Sequence, residues 1–163
     1  MATNNRPPPL IRAVNDNNIV ECRRLIGTGE ANVNEDIDQY GCSVLHIASL
    51  NGYLETAELL ASLGADVNII SSDGWTALHI ASLNGYLEIV QLLLCQGADV
   101  SIRDDIGDTA LDLASYYGGL KIADCLRKWP WTMAIIVLKE DLAIYHLLDA
   151  STIIDLWQYL GNQ

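Results

Sequence analysis

One undecapeptide occurs twice in this chain, and that repetition limits the possible folds more than any other feature. Leu-His-Ile-Ala-Ser-Leu-Asn-Gly-Tyr-Leu-Glu runs from Leu45 to Glu55 and returns, 33 residues later, from Leu78 to Glu88. A looser third copy begins at Leu111 in the same frame. Gly41, Gly74 and Gly107 keep the frame, as does Gly-Ala-Asp-Val at 64–67 and again at 97–100. A fixed period of this length belongs to stacked arrays, in which one unit cannot bury its apolar face alone and its neighbours cover it.

The third unit shows how the local structure follows. Thr76 is placed as an N-cap, its hydroxyl accepting from a first-turn N–H. Leu78, Ala81 and Ser82 fall on one face of a short helix, with small residues that let adjacent units approach. Gly85 ends that helix, and a second one over Leu87 to Gln96 is ended by Gly97. Ile89, Leu92, Leu93 and Val90 are expected to form its buried stripe. An extended finger with Asp73-Gly74 as its turn then joins one unit to the next. Upstream lies a degenerate first unit, with helices expected at Pro9–Asn15 and Ile19–Ile26. Asn17 stands there in place of the later glycines, and asparagine tolerates the left-handed backbone that a helix end requires.

Gly41-Cys-Ser-Val-Leu-His-Ile-Ala, Gly74-Trp-Thr-Ala-Leu-His-Ile-Ala and Gly107-Asp-Thr-Ala-Leu-Asp-Leu-Ala, each with its closing Gly-Ala-Asp-Val where present, resemble the ankyrin repeat. Val44, Ala77 and Ala110 replace the usual proline, and Asp112 the third histidine; proline at a first helical position is favourable but dispensable. The resemblance implies an all-α ankyrin-repeat solenoid, of helix-turn-helix units joined by β-hairpin-like fingers. Its units are expected at about 9–40, 41–73, 74–106 and 107–128, after an N-terminal tail at 1–8. It further implies that His46 and His79 are structural, bonding the capping Ser or Thr and a loop backbone group rather than a metal. The partner-binding residues carried over are those of the finger tips and the open side of the first helices, which line a concave surface. They are Tyr40, Cys42, Leu50 and Asn51 in the second unit, then Trp75, Leu83 and Asn84 in the third. The fourth supplies Arg103, Ile106, Asp108, Tyr116 and Tyr117. Gln39, Ser72, Asp73 and Asp105 sit among them. Rigid aromatic rings are what protein-docking surfaces favour.

From 129 to 163 the period dissolves without the chain turning polar. Residues 131–148 read as one helix, Asp149-Ala-Ser-Thr as a break, and Ile153 to Leu160 as a second helix closed by Gly161. The expectation is a C-terminal helical cap over the last unit, since an uncovered apolar end is a liability. His146 reads as a boundary residue within it.

Composition excludes several classes of function. Nine basic against 21 acidic residues leave a formal net charge of −12, which repels phosphate backbones and anionic lipid. A protein partner, basic or neutral, suits this surface, and neither nucleic acid nor membrane does. The N-terminus lacks an apolar signal core, so a cytoplasmic or nuclear location with reduced thiols is expected. Cys22, Cys42, Cys95 and Cys125 include no CxxC pair. Cys42 and His46 are four apart, but structural zinc needs four ligands, so no metal or cofactor is expected. No nucleophile, base and orienting group assemble from the pattern. The function expected is a non-catalytic adaptor or scaffold, acting as a monomer. An inhibitor that docks on an enzyme, and an assembly protein that dimerises through the C-terminal helices, are the two alternatives.

Overall fold

The computed structural model describes residues 7–34, 38–117 and 119–129. The capping pair expected from the sequence, and most of the N-terminal tail, lie outside the described residues.

The described residues contain eight helices and no strand: α1 (Pro9–Asn15), α2 (Ile19–Gly27), α3 (Val44–Asn51), α4 (Leu54–Ser62), α5 (Ala77–Asn84), α6 (Leu87–Cys95), α7 (Ala110–Tyr116) and α8 (120–129). Helices α1, α3, α5 and α7 pack in one row, and α2, α4 and α6 in a second, with α1 against α2, α3 against α4 and α5 against α6. The starts are where capping chemistry puts them. Ser43, Thr76 and Thr109 are N-caps in extended conformation, and the helices begin at Val44, Ala77 and Ala110 without proline.

The ends follow glycine in the two close copies. Gly52 and Gly85 close α3 and α5 at φ 73° and 83°. In the degenerate unit Asn17 adopts φ 49°, so asparagine does there what glycine does elsewhere. Its side-chain oxygen also accepts from the Thr56 hydroxyl at 2.6 Å, tying the first unit to the second.

The middle inner helices, α3 and α5, are covered almost all round, because inner-row neighbours flank them on both sides and an outer helix backs them. Every residue of α5 from Ala77 to Ser82 is buried. Each fully buried Leu or Ile of this row contributes about 1.5–3 kcal/mol relative to exposure. The outer helices are one-sided. In α6 the buried stripe is Ile89, Val90, Leu93 and Leu94, while Leu92 is only half-buried. The expected stripe is thus turned by one residue at its C-terminal end, toward the pairs that face the inner row.

Asparagine amides lace successive loops. Asn34 donates to the Gly64 carbonyl (3.0 Å) and accepts from the Asp66 N–H (2.7 Å). At the corresponding place in the next unit, Asn68 donates to the Gly97 carbonyl (3.3 Å) and accepts from the Asp99 N–H (2.8 Å). Ser101 takes the next position, and its hydroxyl donates to Asp99 instead (2.6 Å).

Candidate functional site

Three fingers, at 38–43, 71–76 and 104–109, project from the inner row, and one residue closes each. Asp38 Oδ1 accepts from the N–H groups of Tyr40 (2.8 Å) and Cys42 (2.9 Å). Asp104 Oδ1 does the same for Ile106 (3.1 Å) and Asp108 (2.8 Å). Ser71 holds the middle finger through Trp75 N–H to its hydroxyl oxygen (3.2 Å). Among the described residues these turns stay tight without forming a sheet, with an isolated antiparallel bridge between Arg103 and Thr109. The fingers are also joined sideways. Ser72 N–H donates to the Tyr40 carbonyl (2.9 Å), and Asp105 N–H to the Asp73 carbonyl (3.3 Å).

Histidine locks finger to helix. The Ser43 N–H donates to Nδ1 of His46 (3.0 Å), and the Thr76 N–H to Nδ1 of His79 (3.2 Å). Nδ1 therefore carries a lone pair and Nε2 the proton. Nε2–H donates onward to the next unit, from His46 to the Trp75 carbonyl (2.8 Å) and from His79 to the Asp108 carbonyl (3.2 Å). Burial holds both imidazoles below their ordinary pKa, outweighing the carbonyl bonds and the nearby charges of Asp38 and Asp104 that favour the cation. The structural role implied by the resemblance is what the geometry holds. Asp112 at the third position keeps half of it: its Oδ2 accepts from the Thr109 N–H (2.9 Å) and hydroxyl (2.7 Å). A carboxylate has no proton to donate to a following loop.

The residues expected to bind a partner separate into two groups. Ile106, Tyr116, Tyr117 and Tyr40 stand well out, at 80, 74, 69 and 62% exposure, and Leu50 is exposed as well. Nothing within the described residues explains these rings and branched chains as core. The others serve their own units in part. Trp75 is half-buried, its indole tilted against the His79 ring at 6.4 Å between centroids. Leu83 and Cys42 are half-buried too. The exposed Asn51 and Asn84 turn their amides back to the carbonyls of Ile47 and Ile80, both at 2.9 Å. Arg103 donates to the Gly107 carbonyl (2.6 Å), and half-buried Asp108 is held in its finger by backbone.

Two features escaped the sequence pattern. Asp38 and Asp104 organise their fingers, and their shared register with Ser71, one period apart, is the signal that could have revealed them. Leu120 is exposed at the start of α8, where α4 and α6 also begin with leucine.

The electrostatics of the face are negative. The Cys42 thiol is pushed up to about 11, by burial first and then by the charges of Asp38 and Asp73. Such a thiol is a poor nucleophile. All four cysteines are free, and among the described residues no three His, Cys, Asp or Glu side chains gather to hold a metal ion. No described helix is long and apolar enough to cross a membrane.

A family model described as ankyrin repeats, in three copies, matches residues 1–71 and 63–130. No curated protein matches the chain.

Proposed function

The chain belongs to the ankyrin-repeat family, and from that premise we propose that it is a non-catalytic adaptor or scaffold which binds a protein through its finger and inner-helix face. Proteins built on this repeat are generally protein–protein interaction modules. One observation supports the finer reading: of the eight large hydrophobic side chains exposed among the described residues, five, Tyr40, Leu50, Ile106, Tyr116 and Tyr117, lie at the fingers and inner-helix ends, against Val20, Ile70 and Leu120 elsewhere. Rigid rings of this kind bury much area at small entropic cost and dominate docking energies. A location inside the cell goes with this reading.

The test compares capture of partners by the wild-type chain and by a Tyr116→Ala/Tyr117→Ala double variant, with thermal melts of both. The expected result is loss of the captured partner, about 2 kcal/mol or more of binding, at an unchanged melting temperature. Trp75→Ala is expected to differ by lowering stability as well, by about 2 kcal/mol, since its half-buried indole covers His79. Full partner capture by the double tyrosine variant refutes the assignment of the face.

A further inference from the structure

We propose that this face takes a basic segment of its partner, one that sets lysine or arginine beside apolar side chains; the inference rests on the docking face just assigned. The sequence is one-sided in a way that net charge alone conceals. Between Arg24 and Arg103 there is no lysine or arginine, while ten aspartates and glutamates occur in that span. The second unit, and the third as far as Ile102, therefore offer a partner no lysine or arginine at all.

The structure concentrates this asymmetry at the fingers. Asp73 and Asp105 are exposed at neighbouring tips that are bonded to one another through the Asp105 N–H and the Asp73 carbonyl. Tyr40 and Ile106 stand one period either side of Asp73, on the flanking tips, both far out in solvent. Acid and apolar side chains thus alternate along one row. Asp38 and Asp108 lie half-buried beneath it. Asp104 is 6% exposed and its Oδ2 has no hydrogen-bond partner among the described residues, so water screens its charge poorly. Arg103 is the nearest cation along the chain, and it is drawn back to the Gly107 carbonyl. An acidic surface of this kind speeds encounter with a cationic partner and turns away anionic ones, while the apolar tips supply the contact area. Phosphate-bearing ligands are excluded by the same field.

The test uses a short fluorescein-labelled peptide that alternates lysine with leucine, and its counterpart with glutamate for lysine, followed by anisotropy at low and high salt. The wild-type chain is expected to bind the lysine peptide at low salt and to ignore the glutamate peptide. Asp73→Asn/Asp105→Asn is expected to weaken binding about five- to tenfold at low salt and little at high salt. Glu55→Gln/Glu88→Gln, which removes two exposed charges from the outer helices α4 and α6, should leave it unchanged. Equal losses in the two pairs, equal binding of the glutamate peptide, or no binding of the lysine peptide overturns the inference. The failures are separable. If the captured partner is lost with Tyr116→Ala/Tyr117→Ala but held fully by Asp73→Asn/Asp105→Asn, the docking face stands and its basic partner does not.

Discussion

Replacing the turn glycine of each finger by alanine tests whether the fingers really pack against one another. Gly41, Gly74 and Gly107 share one place in the repeat and nearly one backbone, at φ 73°, 75° and 93°. Alanine in this left-handed region costs about 1–2 kcal/mol, offset in part by the lower entropy of the unfolded chain. That cost is common to all three. The surroundings are not. A Cβ on Gly74 would lie 2.9 Å from the Asp105 backbone nitrogen and 3.1 Å from the Asp104 carbonyl carbon. On Gly41 it would lie 3.2 Å from the Ser72 nitrogen, and on Gly107 it meets nothing within 4 Å among the described residues. Backbone of the next finger cannot swing aside as a side-chain tip can, so Gly74→Ala adds an overpacking cost of about 1–3 kcal/mol. The expected order is about 1 kcal/mol for Gly107→Ala, more for Gly41→Ala, and about 2–4 kcal/mol for Gly74→Ala. Urea denaturation followed by circular dichroism reads this as a graded fall in midpoint at constant slope. If Gly74→Ala and Gly107→Ala agree within about 0.5 kcal/mol, the fingers do not touch as described.

Two further expectations concern buried polar groups. His46 and His79 stay neutral in the fold with pKa values below the ordinary 6.5, so as pH falls through 6.5 the unfolded chain takes up protons that the folded one refuses. Stability is then full above that pH and declines below it, by at most about 1.4 kcal/mol per pH unit for each ring. His79→Asp, which copies the arrangement at Asp112, should keep the cap and shed its share of the slope; urea midpoints between pH 7.5 and 5.5 that do not move for the wild-type chain refute the neutral tautomer. Ser49 and Ser82 bury hydroxyls without a hydrogen-bond partner among the described residues, so Ser49→Ala and Ser82→Ala should leave stability unchanged or raise it by up to about 1 kcal/mol. Ser115→Ala, whose exposed hydroxyl bonds the Leu111 carbonyl at 2.8 Å, serves as the control, and a marked loss in either buried variant would show an unseen partner.

The stacked fold was legible from residues 41 to 128 alone, because it depends on local rules that repeat in register. Ser43, Thr76 and Thr109 cap where they stand, Gly52 and Gly85 end helices by lacking a Cβ, and Asn17 reaches the left-handed region on its own short side chain. None of these needs to know what lies beyond its own unit. The candidate face was legible only in outline. Position in the repeat placed Trp75 beside Tyr116 and Tyr117 as an anchor, yet the indole leans on His79 and is half covered, whereas the two tyrosines are exposed. Sequence spacing also pointed to Leu92 for the α6 stripe where Leu94 is buried.

Exposure at equivalent positions differs because each unit has different neighbours, and a neighbour's side chain is not written in the unit it covers. The same holds for Gly74 and Gly107, identical in the motif and unlike in surroundings, and for Asp73 and Asp105. Those two acids lie 32 residues apart in the chain, yet they become adjacent tips of one row through a single backbone hydrogen bond between fingers.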